Sequence, residues 1–172
     1  MGKGTVRVEI YTNLHRISGH TQPGPTGLFS FFNRLTESTV EIEDARIAAL
    51  HQTAEQAEST ARLWMVKAEI AAVAAGSRGD IGPIGTVRGG YTKPFPHRVR
   101  IVVGGYELRG LVETPGKLDF GALVLEGDSL FMPIYDARLN AILFPRTKIE
   151  SPAILFNRKM VVSLTLVQKL EE

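Results

Sequence analysis

The sequence predicts a mainly β protein built as two tandem small barrels of five to six strands each, with one short helix in the first copy. Three observations carry this: an internal match between the two halves, apolar–charged alternation at the start of each, and turn residues at short, even intervals. The first copy covers 1–75 and the second 97–172, and a glycine-rich linker, 76–96, joins them. Halves of about 70 residues struggle to bury enough apolar surface alone, so each is expected to lean on the other or on neighbours.

The internal match centres on Asp44-Ala45-Arg46 and Asp136-Ala137-Arg138, which coincide at an offset of 92. Across 44–75 against 136–167, nine of 32 pairs are identical: Asp44/Asp136, Ala45/Ala137, Arg46/Arg138, Ala49/Ala141, Glu58/Glu150, Ser59/Ser151, Ala61/Ala153, Leu63/Leu155 and Lys67/Lys159. Average residue usage would give about two or three. Upstream, Val8/Val99, Ile10/Ile101, Ile17/Leu108 and Gly19/Gly110 match at an offset of 91, which one residue of turn length explains. Gly19, Asp44, Arg46, Gly110, Asp136 and Arg138 are thus the signature of the repeat.

Each copy opens on a strand with one wet face, Val6–Tyr11 and Arg98–Val103, followed by a turn at Thr12-Asn13 or Gly104-Gly105. The second copy continues with predicted strands at 106–113, 120–126, 130–135, 138–143 and 153–168, punctuated by Pro115-Gly116, Gly127-Asp128 and Pro145-Arg146. Closing such strands into a barrel removes exposed edges. In the first copy Asp44–Ala75 is rich in Ala, Glu and Gln and by itself reads as helix. Its counterpart is rich in Ile, Leu, Val and Phe and contains Pro145 and Pro152, which no helix interior accommodates. Ala61–Ala75 is therefore predicted as a strand, with a helix only at about 51–58. Phe31 and Phe32 would point to opposite faces of a strand, so that one is exposed, where it could stack on single-stranded bases, or covers a core or subunit interface. Gly76, Gly79, Gly82 and Gly85 recur every third residue in the linker, too few for collagen, and read as a turn-rich connector. The embedded Arg78-Gly79-Asp80 tripeptide reads as incidental.

Charge argues against a dedicated polyanion binder. The pI near 9.0 reflects a net charge of only +2, and the basic and acidic counts are 7 and 8 in 1–75, 3 and 1 in 76–96, and 10 and 9 in 97–172. The signs are interspersed along the strands rather than gathered on one face. With no cysteine the chain has neither disulfides nor thiolate chemistry, which fits a reducing compartment. His15, His20, His51 and His97 lack metal-ligand spacing, so no metal is expected. Asp44 with Arg46 and Asp136 with Arg138 could serve as acid–base pairs, but an Asp bonding backbone amides at a tight turn explains their recurrence more simply. No phosphate-binding glycine loop, Gly-x-Ser-x-Gly or His-Glu-x-x-His is present. The expectation is a non-enzyme without cofactor. No apolar run is long enough to span a membrane, and Met1-Gly2-Lys3-Gly4 leads into the first strand without a signal-peptide core, so a soluble cytoplasmic protein is expected.

Gly104-Gly105-Tyr106-Glu107-Leu108-Arg109-Gly110-Leu111, followed by Asp119-Phe120 and Leu123-Val124-Leu125-Glu126, resembles the first motif of Sm-like proteins. Asn157-Arg158-Lys159-Met160-Val161-Val162 is similar to the second. The resemblance implies a strongly bent five-stranded barrel of Sm-like or SH3-like kind, ring-like homo-oligomers and binding of single-stranded RNA. Gly110 would be the glycine at the strand bend and Asp119 the loop aspartate. Two departures stand out: the family's base-contacting Asn falls near Ala122, and Lys159 replaces the glycine of its Arg-Gly pair. In the first copy Asn33 lies near the expected place, while Val66-Lys67 stands where Arg-Gly should be.

Two functions follow. One is a non-catalytic assembly or interaction module that forms homo-oligomers or binds a protein partner, adding strands between subunits. The other is an Sm-like single-stranded RNA binder using Arg138, Arg158 and Lys159 for phosphates and an exposed aromatic for bases, with Asn33 near the place of the family's base-contacting Asn.

Overall fold

The computed structural model describes residues 4–84 and 93–168. Met1-Gly2-Lys3 and the linker positions from Gly85 to 92 lie outside them. The strands are β1 (Val6–Thr12), β2 (His15–Thr21), β3 (Thr39–Ala49), β4 (Glu58–Val66), β5 (Ile70–Ala75), β6 (Phe95–Val103), β7 (Tyr106–Thr114), β8 (Phe131–Ala141), β9 (Lys148–Asn157) and β10 (Val161–Leu166). Two short helices, α1 (Gly27–Phe32) and α2 (Phe120–Val124), sit in the β2–β3 and β7–β8 connections.

All ten strands join one antiparallel sheet in the order β10-β6-β7-β8-β9-β5-β1-β2-β3-β4. Two separately closed barrels were expected; instead the ladder is continuous and open. The reason lies at the 3-10 turn Lys67–Glu69, where the chain leaves β4 and carries β5 across to pair with β1 on one side and β9 of the other half on the other. β4 is left on the outer edge.

Both halves carry the same ladder. β1 and β2 pair as β6 and β7 do, Val8 opposite Gly19 and Val99 opposite Gly110. β3 and β8 each contain a bulge, at which Asp44 and Asp136 both take φ +47°. These are the only non-glycine residues at positive φ among the described residues, a conformation that Asp tolerates better than most. The tight turn expected at these aspartates is therefore a mid-strand bulge, which bends the sheet. Gly19 and Gly110 lie opposite. A Cβ on Gly19 would come within 2.9 Å of the Glu43 carbonyl, and one on Gly110 within 2.6 Å of the Tyr135 carbonyl. Only glycine lets the bulged strand come this close.

The ladder also corrects the alignment of the copies. β3 and β8 match at 92, since Ile17 pairs with Ile47 and Leu108 with Leu139. Beyond them the offset returns to 91: Ala45 faces Thr60 as Ala137 faces Ser151, and Ile10 faces Val73 as Ile101 faces Leu164. The β8–β9 turn is one residue shorter than its counterpart. The pairs Glu58/Glu150, Ser59/Ser151, Ala61/Ala153, Leu63/Leu155 and Lys67/Lys159 are thus out of step by one, which in a strand places them on opposite faces.

Other local expectations change as well. Residues 120–126 are not a strand, because Asp119 Oδ1 accepts the Ala122 N–H at 3.1 Å and starts α2. The predicted strands 130–135 and 138–143 are one strand bent at the Asp136 bulge, and 153–168 splits at the 3-10 turn Arg158–Met160. The helix at 51–58 contracts to the 3-10 turn Ala54–Gln56, held by a reciprocal Thr53–Gln56 capping box. Phe31 and Phe32 lie on α1 rather than on a strand, where Phe32 is buried and meets Phe131 edge-on at 5.6 Å.

The core is shared. One cluster is mostly from the second half but takes in Tyr11, Leu50, Ala71, Ala72 and Ala74; the other is mostly from the first half but takes in Phe131, Tyr135, Ala153 and Leu155. Within the linker, Arg78 stacks its guanidinium 3.8 Å from the Tyr135 ring centre and pairs with Glu113, so the Arg-Gly-Asp tripeptide is built into a 3-10 turn that sits between the halves, packed on α1, β5 and β9.

Candidate assembly interface

The junction between the halves is a strand pair. Ala72 faces Phe156, Val73 faces Leu155, Ala74 faces Ile154 and Ala75 faces Ala153, and every residue of β5 is buried. Four alanines on β5 admit the large side chains of β9. Side chains then lock the backbone edges together. The Ser151 hydroxyl lies 2.9 Å from the Ala75 carbonyl and 2.8 Å from that of Ala153. Asn157 Nδ2 donates to the Ile70 carbonyl at 2.9 Å.

At one end of the junction the two hairpin turns meet. The Tyr106 hydroxyl donates to the Thr12 carbonyl, the Gly105 N–H donates to Asn13 Oδ1 at 3.3 Å, and the Tyr11 and Tyr106 rings pack edge-on at 5.6 Å. Burial raises the pKa of both phenols, that of Tyr11 further through the Glu9 carboxylate. At the other end, Asn33 bonds both backbone groups of Phe131.

The ladder's two free edges are β4 and β10. By register β4 corresponds to β9 and β10 to β5, so each edge is the unpaired equivalent of a strand used in the junction. Exposed apolar side chains mark both: Trp64 is 63% and Val66 51% exposed on β4, Val162 70% and Leu166 52% on β10. β10, Val-Val-Ser-Leu-Thr-Leu, carries no charge and no proline, the usual devices that keep edges from pairing. Periodicity alone could not have shown that these two strands end the sheet.

The residues singled out from sequence divide in two: Asn33, Arg158 and Lys159 come together on one cavity, while Arg138 and the repeat signature lie elsewhere. Arg138 is exposed and pairs with Glu150 at 2.8 Å, and Arg46 donates to the Ala54 carbonyl at 3.0 Å. Arg158 is buried and donates to four carbonyls, those of Leu123, Glu126, Gly127 and Ser129, around the end of α2. Its register equivalent is Lys67, not Val66, and the buried Lys67 ammonium donates to the Arg34 carbonyl after α1 at 3.2 Å. Burial lowers the pKa of both cations. Lys159, the neighbour of Arg158, is exposed.

Asn33, Lys67, Arg158 and Lys159 all line one open cavity of about 810 Å³, with Arg34, Glu37 and Asp128 also on its wall. Arg138, Arg46, Asp44 and Asp136 are not on it. Among the described residues no group of His, Asp or Glu could hold a metal ion, and no helix is long and apolar enough to cross a membrane. Sequence reasoning missed the roles of Thr60, Ser151 and Asn157: Ser151 entered only through the out-of-step pair Ser59/Ser151, and Asn157 only as the first residue of the second Sm-like segment. No family model, no curated protein and no solved structure matches the chain.

Proposed function

We propose that this protein is a non-catalytic assembly module of two duplicated, strongly bent Sm-like five-stranded units, and that copies join through the free edges β4 and β10. The observation that carries the reading is the β5–β9 junction: one molecule already contains the contact, and its outer edges are the two unused halves of that contact. Joining β10 of one copy to β4 of the next is a heterologous, head-to-tail association, which gives a ring if the rotation closes and a filament if it does not. Apolar exposure on both edges and the charge-free β10 support it.

Single-stranded RNA binding has less support, since Arg158 and Asn33 are engaged by backbone groups of the protein itself. The test is light scattering coupled to size exclusion. The wild type should run as a multiple of its 18.8 kDa chain, and a Val162→Lys/Leu166→Lys variant, folded by circular dichroism, should run as a monomer. A monomeric wild type at its highest soluble concentration, or a Lys variant that assembles equally well, would overturn the proposal.

A further inference from the structure

Resting on that reading, we infer that Thr60 sets the register in which a second copy docks, its single hydroxyl hydrogen shared between the Arg62 carbonyl of its own strand and the Leu166 carbonyl of the incoming β10. Inside the chain, Ser151 holds the register: its hydroxyl lies between the Ala153 carbonyl of its own strand and the Ala75 carbonyl across the junction. Thr60 occupies the same rung, opposite Ala45 as Ser151 is opposite Ala137. Its hydroxyl already makes the same-strand half of the arrangement, to the Arg62 carbonyl at 3.1 Å. The half that is missing is a carbonyl from a neighbouring strand.

Leu166 supplies it by position. Val99 faces Leu166 as Val8 faces Ala75, so Leu166 is to β10 what Ala75 is to β5. Transposing the junction pairs predicts Ser163 opposite Met65 of the next copy, Leu164 opposite Trp64, Thr165 opposite Leu63 and Leu166 opposite Arg62. A hydroxyl that recognises one carbonyl discriminates against slippage, which an otherwise uniform edge such as Val-Val-Ser-Leu-Thr-Leu permits. The outer junction lacks one lock. Val66 stands where Asn157 reaches the Ile70 carbonyl, and Val161 corresponds to Ile70.

The absence of cysteine allows the register to be read by crosslinking. Arg62→Cys and Leu166→Cys chains, mixed and oxidised, should form a disulfide-linked dimer in much higher yield than Trp64→Cys with Leu166→Cys, which requires a two-residue slip. Thr60→Val should weaken assembly roughly twofold to threefold, the low end for one net hydrogen bond, because the hydroxyl hydrogen is shared with the Arg62 carbonyl. Thr60→Ser should restore it, and Val66→Asn should tighten assembly by a similar factor. The melting temperature of the isolated monomer should be unchanged by Thr60→Val. If copies assemble but the slipped pair links better, or Thr60→Val assembles like wild type, the register role of Thr60 is overturned while edge assembly stands. If no variant and no wild type assembles, the assembly reading itself fails.

Discussion

Asn33 grips the backbone of Phe131 from the opposite half of the protein. Its Oδ1 accepts the Phe131 N–H at 2.8 Å, while its Nδ2 donates to the Phe131 carbonyl at 3.0 Å and to the Phe29 carbonyl at 2.9 Å. One side chain thus closes the end of α1 and ties it to the first residue of β8. Phe32 and Phe131, in edge contact, cover the arrangement.

Replacing Asn33 by Leu should cost about 2–4 kcal/mol, because Phe131 would keep a partly buried N–H and carbonyl with no partner. Asn33→Asp should cost nearly as much, since a carboxylate accepts the N–H but repels the carbonyl. Urea denaturation followed by fluorescence measures both, and a loss below about 0.5 kcal/mol for Leu, the level of an ordinary surface change, would contradict the clamp.

The bulges make opposite demands on their two sides. Gly110→Ala drives a methyl against the Tyr135 carbonyl and should destabilise by about 2–4 kcal/mol, with Gly19→Ala similar. Asp136→Gly relieves a positive φ and should be neutral or stabilising by up to about 1 kcal/mol, whereas Asp136→Val should lose about 1–2 kcal/mol. Thermal melts of the four variants decide the matter.

Arg158 and Arg138, equivalent as sequence candidates, should behave very differently. Arg158→Met strips the carbonyls at and just after the end of α2 of their shared donor and should cost about 3–5 kcal/mol. Arg138→Ala removes an exposed ion pair and should change stability by less than about 1 kcal/mol. Chemical denaturation of the two variants separates a structural cation from a solvated one.

Glu107 contributes an acid-side pH dependence. Hydrogen bonds from Arg100 and Arg109 hold its carboxyl below the usual range. A carboxylate whose pKa is depressed on folding adds stability above its unfolded pKa, and that stability is lost as pH falls through the folded value. Glu107→Gln should therefore lower the urea midpoint at pH 7, and the gap from wild type should close as pH falls below about 4, near the unfolded carboxylate value. An equal gap at pH 7 and pH 3 would exclude the mechanism.

What the sequence alone determined is the β character of the chain and the recurrence of its signature residues. Apolar–charged alternation in β1 and β6, glycines at 19 and 110, and aspartates at 44 and 136 are properties of single strands, and each is visible one strand at a time. The Ala-rich β3–β5 region, read as strand only through its second-half counterpart, is strand because neighbours on both sides hold β3 and β5. Tertiary structure decided the rest. A one-residue difference in turn length is nearly silent in sequence, yet in a period-2 element it exchanges faces, which is why Lys67 aligns with Arg158 and Thr60 with Ser151. Likewise, whether β5 closes its own half or bridges to β9 depends on where the chain turns at Lys67–Glu69 and on which apolar edge it can bury. That is settled by packing between residues more than seventy positions apart, and no local pattern encodes it.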